Sequence, residues 1–548
     1  MGIGWRISSY NPMGADLFSI KISPLDSCLP KRICKRINLS VYPWCSFLLS
    51  ILSLFSFHAL TCQAQLFPVL KNQYRLGSEG NDLAIDLASD TQGHLYVLST
   101  NSGKGKQVSE HFGCTDIWVA SLTQDARVKW EKTFGGIYCD EAGDLLVQGE
   151  SIWVSGTTAS FLEHPETGDR FRAGDAFLLN LRKEGALNYY KVFGAEEKEL
   201  GAGLGLLPNG NILQCGSSFS ALPFHGGKPG MSDIWLIKPD ADTSRALEGF
   251  NAGGAGYDWP VRIHPISATE FALTANTVPA SSFENGEVYP KPWVIVFDTA
   301  LKKKRSFIPS ASLPVTILAS EVNASGHLGL VGHSIRQDSD PQFWFMACDL
   351  SGKVLHEKIW GGSGAEYLSA MAPCKDGGWI LTGWSAYYNL ENPNIKGGED
   401  LWVIRLNAQY EVEWERTFGG PGEERGKAVI EYMPGVYYVL GQRNESPDTE
   451  VKDLWLLRIE EEECDLPELI PSVKFQGTEP RIGQYLQFSL PTEEKLTCIW
   501  DFGDGTTSKE LNPMKKYYRV GDYQVKVTYK GTQACDKRVK MPAPLMIR

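Results

Sequence analysis

Apolar and polar positions alternate along this chain with a period of two. In Asp400–Leu406, Leu401, Val403 and Arg405 fall on one side and Trp402, Ile404 and Leu406 on the other. That spacing predicts a strand. A second run, Trp414-Glu415-Arg416-Thr417-Phe418-Gly419-Gly420, follows after a tight turn, and its Gly pair permits a sharp exit. The same two-strand unit appears earlier as Asp116-Ile117-Trp118-Val119 and Trp130 to Gly136.

The unit repeats. Aligned on the Phe-Gly-Gly element, copies fall at Leu76, Phe134, Phe193, Phe250, Phe307, Trp360 and Phe418. Aligned on the aromatic strand they fall at Trp118, Phe177, Trp235, Trp293, Trp344, Trp402 and Trp455. Both series count seven, with four strand-like runs to a copy. The copy after Gly136 shows them at 142–147, 151–156, 175–181 and 188–193. No outer run follows Asp453 to Ile459 in the seventh, and Lys71 to Leu76 matches the missing piece, so an N-terminal strand is expected to close the ring. Seven near-equal repeats of this kind predict an all-β fold, a seven-bladed β-propeller over residues 66–459. One aromatic per copy suits packing between blades better than a platform for a planar cofactor.

The repeat resembles the bacterial propeller repeat called SBBP. The run 130–136, the Val-Ser-Gly-Thr-Thr-Ala-Ser run at 154–160 and the Asp-x-Trp starts at 116, 233, 400 and 453 carry the resemblance. Copies four and five depart. Pro292-Trp293 and Phe343-Trp344 lack the Asp, and Phe307-Ile308-Pro309 lacks both Gly, so distortion is expected there.

Residues 460–471, opening on the acidic run Glu460 to Glu463, read as a linker. Beyond them, Trp500-Asp501-Phe502-Gly503-Asp504-Gly505 and Tyr518 to Val527 closely resemble the PKD domain, an immunoglobulin-like sandwich, over 472–548. The resemblance implies a non-catalytic spacer or interaction module of exported proteins. Asp501 and Asp504 are expected to bond backbone within the turn rather than a metal. Cys498 precedes the Trp-Asp-Phe-Gly-Asp strand and Cys535 opens the final one, so a disulfide between them is expected.

The N-terminus changes the setting. Lys31, Arg32, Lys35 and Arg36 precede an apolar stretch, 47–60, and Cys62-Gln63-Ala64 offers a cleavage site. Residues 1–64 therefore read as a signal peptide with an N-terminal extension, and acylation of Cys62 is a second reading. The expected location is secreted, periplasmic or cell-surface. The full chain carries 53 Lys and Arg against 65 Asp and Glu. Without residues 1–64 the excess of acid grows, which argues against nucleic acid and anionic membranes as partners.

No His-Glu-x-x-His, Gly-x-Ser-x-Gly, Walker or calcium-loop motif occurs in the sequence. One constellation repeats: an acid six residues after the start of the Phe-Gly-Gly element. Asp82, Asp140, Glu199, Asp258, Glu366 and Glu424 fit, Asp258 by allowing two extra residues, and copy five has Leu313 instead. These acids should begin the innermost strands. A ring of them could hold a cation such as calcium. The simpler expectation is that each caps its own Gly-rich turn; no other cofactor is expected.

The connections between second and third strands are long and carry Phe112, Phe161, Phe171, Phe224, Phe283, Tyr289, Tyr387 and Tyr388. With the Phe-Gly-Gly strand outermost, they share one face with the connections between blades. The expected function is an exported binding or scaffold protein. Its loops are expected to take an extracellular carbohydrate or protein, with the C-terminal domain spacing it or anchoring it at the cell surface. The alternative is a propeller lyase or hydrolase acting on polysaccharide or peptide.

Overall fold

The computed structural model describes residues 66–160, 174–194, 198–207, 209–219, 231–239, 248–253, 256–278, 289–336, 339–360, 364–386, 398–444, 451–463, 466–492, 496–530 and 536–548. The signal-peptide and Cys62 readings lie outside these residues. Among them, no helix is long and apolar enough to cross a membrane.

Seven four-stranded antiparallel sheets form the blades of a β-propeller. Blades I to VI span 82–134, 140–193, 199–252, 257–307, 315–360 and 366–418. In each of these, strands follow chain order from the innermost outward, so the Phe-Gly-Gly strand is outermost. Blade VII takes three strands from 424–463 and its outermost strand from the N-terminus, Leu66–Leu76. The register runs from Leu66 opposite Glu463 to Leu76 opposite Leu454. The N-terminal strand thus closes the ring, and it begins earlier than the Lys71–Leu76 segment that the repeat suggests.

This pairing corrects the linker boundary. Glu460 to Glu463, expected outside the propeller, continue the strand Asp453–Glu463. Four consecutive Glu are poor strand formers. Here Leu66 to Val69 pair with them, Lys71 forms an ion pair with Glu462, and the Trp414 indole donates to Glu461 at 2.8 Å. Tertiary pairing overrides local preference.

The cores lie between blades. Tyr96, Leu98 and Val119 of blade I pack with Leu145, Val154 and Phe177 of blade II. Leu401 and Val403 of blade VI pack with Tyr437, Val439 and Trp455 of blade VII. The once-per-blade aromatics take part: Trp118, Phe177, Trp235, Trp344 and Trp455 are all buried. The indole N–H groups of Trp118, Trp344 and Trp455 donate to Glu131, Glu357 and Gln73 in the next strand outward. Each blade covers the apolar face of its neighbour, which is why the sequence keeps a large ring there.

All seven innermost strands carry a β-bulge at one position: Ile85, Gly143, Ala202, Val261, Leu318, Ser369 and Lys427 are the extra residues. The bulge aligns copies that the sequence alone aligns poorly. It places Asp258 in register with Asp140, and it puts Val315, not Leu313, at the position of the missing acid in blade V.

The C-terminal domain is a sandwich around Phe488, Trp500, Phe502, Tyr517 and Tyr529. The expected Cys498–Cys535 bond does not form: Cys498 is a free, buried thiol that donates to the Glu510 carbonyl at 3.3 Å. Cys535 lies outside the described residues, but its neighbourhood explains the result. Thr497 and Asp536 both pair with Lys530, from opposite sides, so the two strands are separated by a third. Two strand spacings are about 10 Å, too far for a disulfide. A bond does form between Cys114 and Cys139.

Candidate functional site

The innermost strands begin on the face that carries the long second-to-third connections. On this face, called wide for the length of its connections, the six repeated acids are all buried. Asp82 accepts from the Ser78 N–H at 2.8 Å and from its hydroxyl at 2.7 Å. Asp140 accepts from the N–H groups of Gly136 at 2.9 Å and Ser160 at 3.3 Å, and from the Thr158 hydroxyl. Glu199 accepts from Ser218 at 3.0 Å, and Glu424 from the Gly420 N–H at 3.0 Å. Each of these four caps a turn or strand end beside it, and Asp258 and Glu366 are equally buried at the same place in blades IV and VI. Among the described residues, no three acidic, His or Cys side chains gather as metal ligands would.

At four of the junctions, those entering blades II, III, IV and VII, a second acid joins the cap. The Asp that opens the third strand presses its carboxylate against the first Gly of Phe-Gly-Gly. A Cβ placed on Gly194, Gly253 or Gly419 would sit 2.1, 1.9 or 2.0 Å from an oxygen of Asp175, Asp233 or Asp400. The Asp and the Gly thus pack against each other, and the fourth copy, with Lys291 in the Asp position, has no Gly in 307–310. The backbone completes the junction. The N–H groups of Asp140, Glu199, Asp258, Glu424 and Asp82 donate to the carbonyls of Thr115, Gly174, Ser232, Glu399 and Lys452, at 2.7 to 3.0 Å. Each bond ties one blade to the next. The junctions flanking blade V depart, with Lys291 and Gln342 in place of the Asp.

Burial gives Asp82 a pH signature. Desolvation pushes the Asp82 carboxyl up to about 6, against the opposing pull of its Ser78 bonds. A carboxyl raised in the fold binds its proton more tightly folded than unfolded. Its contribution is complete below the ordinary carboxylate pKa and is lost as pH rises through the folded value. Between pH 4 and 7 this amounts to about 3 kcal/mol. Asp82→Asn should remove that slope in urea denaturation at pH 4, 5, 6 and 7. Parallel curves for variant and wild type would refute it.

Beyond the bulges, an axial cavity of about 450 Å³ is lined by all seven innermost strands. Its polar sector was not read from the sequence. Asp86 accepts from the Leu87 N–H at 2.8 Å and the Leu145 N–H at 3.2 Å. Asp144 accepts from the Leu204 N–H of the following blade at 2.6 Å. Burial and then the neighbouring Asp144 hold the Asp86 carboxyl well above its usual range. Arg262 forms an ion pair with Glu321 at 3.1 Å and keeps a third of its side chain on the lumen. His264, bonded to Ser320 at 2.8 Å, is held neutral, its pKa pushed down to about 3 by burial and then by Arg262. The one sequence signal was the acid four residues after the first, at 82/86 and 140/144. Arg262 and Glu321 occur once each and leave no periodic trace.

The loop aromatics are only partly described. Phe161, Phe171, Phe224, Phe283, Tyr387 and Tyr388 lie outside the described residues. Tyr289 is half-buried. Phe112 is 47% exposed on the wide face, and Ile137, across the Cys114–Cys139 bond, is 74% exposed. The bond links the loop of blade I to the connection into blade II. Phe112 also donates its N–H to buried Asp116 at 2.7 Å. The two apolar side chains thus stand on a braced base.

In the C-terminal domain, Asp501 accepts from the Gly503 N–H at 2.9 Å and Asp504 from the Thr506 N–H at 3.1 Å, as turn carboxylates do. The Tyr517 hydroxyl donates to the Phe502 carbonyl at 2.9 Å, fixing that turn to the facing sheet. Residues 481–542 match the PKD domain family.

The PKD match concerns that segment alone, and no curated protein matches the chain. Solved structures with a similar arrangement include a protein of unknown function from Dyadobacter fermentans, 10% identical, covering 72% of this chain and 99% of that one, TM-score 0.41. A puromycin hydrolase is 10% identical, with 74% of this chain and 58% of that one covered, TM-score 0.41. A fungal alcohol oxidase of the AA5 family, in complex with copper, is 8% identical, with 86% and 99% covered, TM-score 0.40. Likeness this low transfers no activity to this chain.

Proposed function

We propose that this is an extracellular binding or scaffold protein, with SBBP-type blades, whose wide face takes a carbohydrate or protein partner. The observation that carries the reading is the braced apolar pair, Phe112 and Ile137, beside the Cys114–Cys139 bond. Exposed apolar side chains on a loop held from both ends lose little entropy on binding. The buried acids of the same face are engaged in backbone bonds, which suits a rigid frame. The PKD domain adds an interaction module of a type found in exported proteins.

The test is binding of the exported chain to a glycan array and to surface proteins of its source, with Phe112→Ala and Ile137→Ala alongside. Each variant should weaken the interaction by about tenfold while leaving the melting temperature within about 2 °C. Unchanged binding in both variants refutes this face as the site.

The Asp86–Asp144 pair beside Arg262 favours a second reading, a hydrolase or lyase acting in the axial cavity, because a carboxyl held protonated can serve as a general acid. Turnover on the same array that Asp86→Asn abolishes would establish it.

A further inference from the structure

The exported chain is divided in charge. Residues 472–548 carry 13 Lys and Arg against 8 Asp and Glu, whereas 65–471 carry 34 against 55. The basic excess is confined to the PKD domain, and part of it surrounds exposed aromatic side chains.

Three segments of that domain lie side by side. The Ile482 N–H donates to the Arg548 carbonyl and the Arg548 N–H to Pro480, both at 3.1 Å. The Gly483 N–H donates to the Tyr517 carbonyl at 2.8 Å. Gly521 to Tyr523 pair with Leu545 to Ile547. Together they bring Tyr485, Tyr518 and Val520 to one surface, exposed by 58, 77 and 64%. Ile482 and Met546 extend the patch, each about half exposed.

The cations on this surface are unspent. Lys515 and Lys526 pair with Asp504 and Asp501. Lys516 instead lies over the Tyr485 ring, 3.9 Å from its centre. Arg481, Arg519 and Arg548 are exposed and have no ion pair among the described residues. A monomer gains nothing by leaving rings and cations of this kind on one surface.

We propose that this edge of the PKD domain is a docking platform for an acidic polysaccharide. The rings of Tyr485 and Tyr518 stack on sugar faces, and Lys516, Arg519 and Arg548 pair with the carboxylates or sulfates between them. The acidic propeller repels the same polymer, so docking is confined to the C-terminal domain. This site is separate from the one proposed at Phe112.

The experiment uses the whole exported chain and two probes, polygalacturonate and uncharged dextran, in sedimentation and calorimetric titration. Polygalacturonate should bind, and its affinity should fall about tenfold or more between roughly 50 and 300 mM salt. Tyr485→Ala and Tyr518→Ala should each cost about tenfold, and Lys516→Glu with Arg519→Glu should abolish binding, with melting temperatures unchanged. Phe112→Ala should have no effect, which separates failure of this site from failure of the wide face. Equal binding to dextran, failure to bind polygalacturonate, or insensitivity to the PKD variants would overturn the proposal. So would self-association without glycan binding that the double charge reversal abolishes, because the acidic propeller of a second copy would then be the occupant. Binding to phosphatidylglycerol vesicles but not to polygalacturonate would also overturn it.

Discussion

Deleting residues 66–76 should destabilise the propeller by about 5–10 kcal/mol and expose it to aggregation. The strand Leu66–Leu76 supplies the whole outer edge of blade VII. Phe67 and Leu76 are buried, and Tyr74 packs on the core shared by blades VII and I. Gln73 accepts the Trp455 indole N–H at 3.0 Å, and the Pro68 carbonyl accepts from Arg416 of blade VI at 2.7 Å. Without the strand, Asp453–Glu463 becomes an edge with its ladder groups unpaired. The ring also loses the contact between its two chain ends, which is what keeps a circular array from opening. Calorimetry and light scattering on the truncated protein check this. A peptide of residues 66–76 added in trans should restore part of the loss. A truncated protein that melts unchanged as a monomer would sink the idea.

The ring was legible because its devices recur. Asp before Trp, Gly after Phe and an acid before each inner strand appear often enough to fix the blade count and to show that the N-terminal segment completes the last blade. What the sequence hid was the reason for the recurrence. Nothing in a linear reading shows that Asp400 presses on Gly419, nineteen positions away, or that Asp140 reaches Ser160. Features that occur once were invisible: Arg262 and Glu321 meet only because the seven inner strands converge on one axis. The Cys498 pairing failed on strand order, which the spacing of two cysteines does not encode. The acidic run at 460–463 was misplaced because its strand is imposed by a partner nearly 400 residues away.

Asp140→Ala should cost about 1–3 kcal/mol. Its carboxylate accepts from two backbone donors, the half-buried Gly136 N–H and the buried Ser160 N–H, which it shares with the Thr158 hydroxyl. The third donor, the Thr158 hydroxyl, also reaches the Ser160 carbonyl and keeps that partner. Removing the carboxylate therefore strands the Gly136 amide, worth about 1–3 kcal/mol, while the Ser160 N–H keeps its 3.0 Å bond to the Thr158 hydroxyl. Asp140→Asn retains one acceptor oxygen and should fall between. Blade V supplies the contrast. Val315 holds the same place with no carboxylate, so Val315→Ala should cost about 1–2 kcal/mol, the transfer energy of the methyl groups it loses. Urea unfolding of the three variants measures the order. If Asp140→Ala costs less than Val315→Ala, the acids of the wide face are not holding the blades together, and a role in binding a cation or partner would have to explain their recurrence instead.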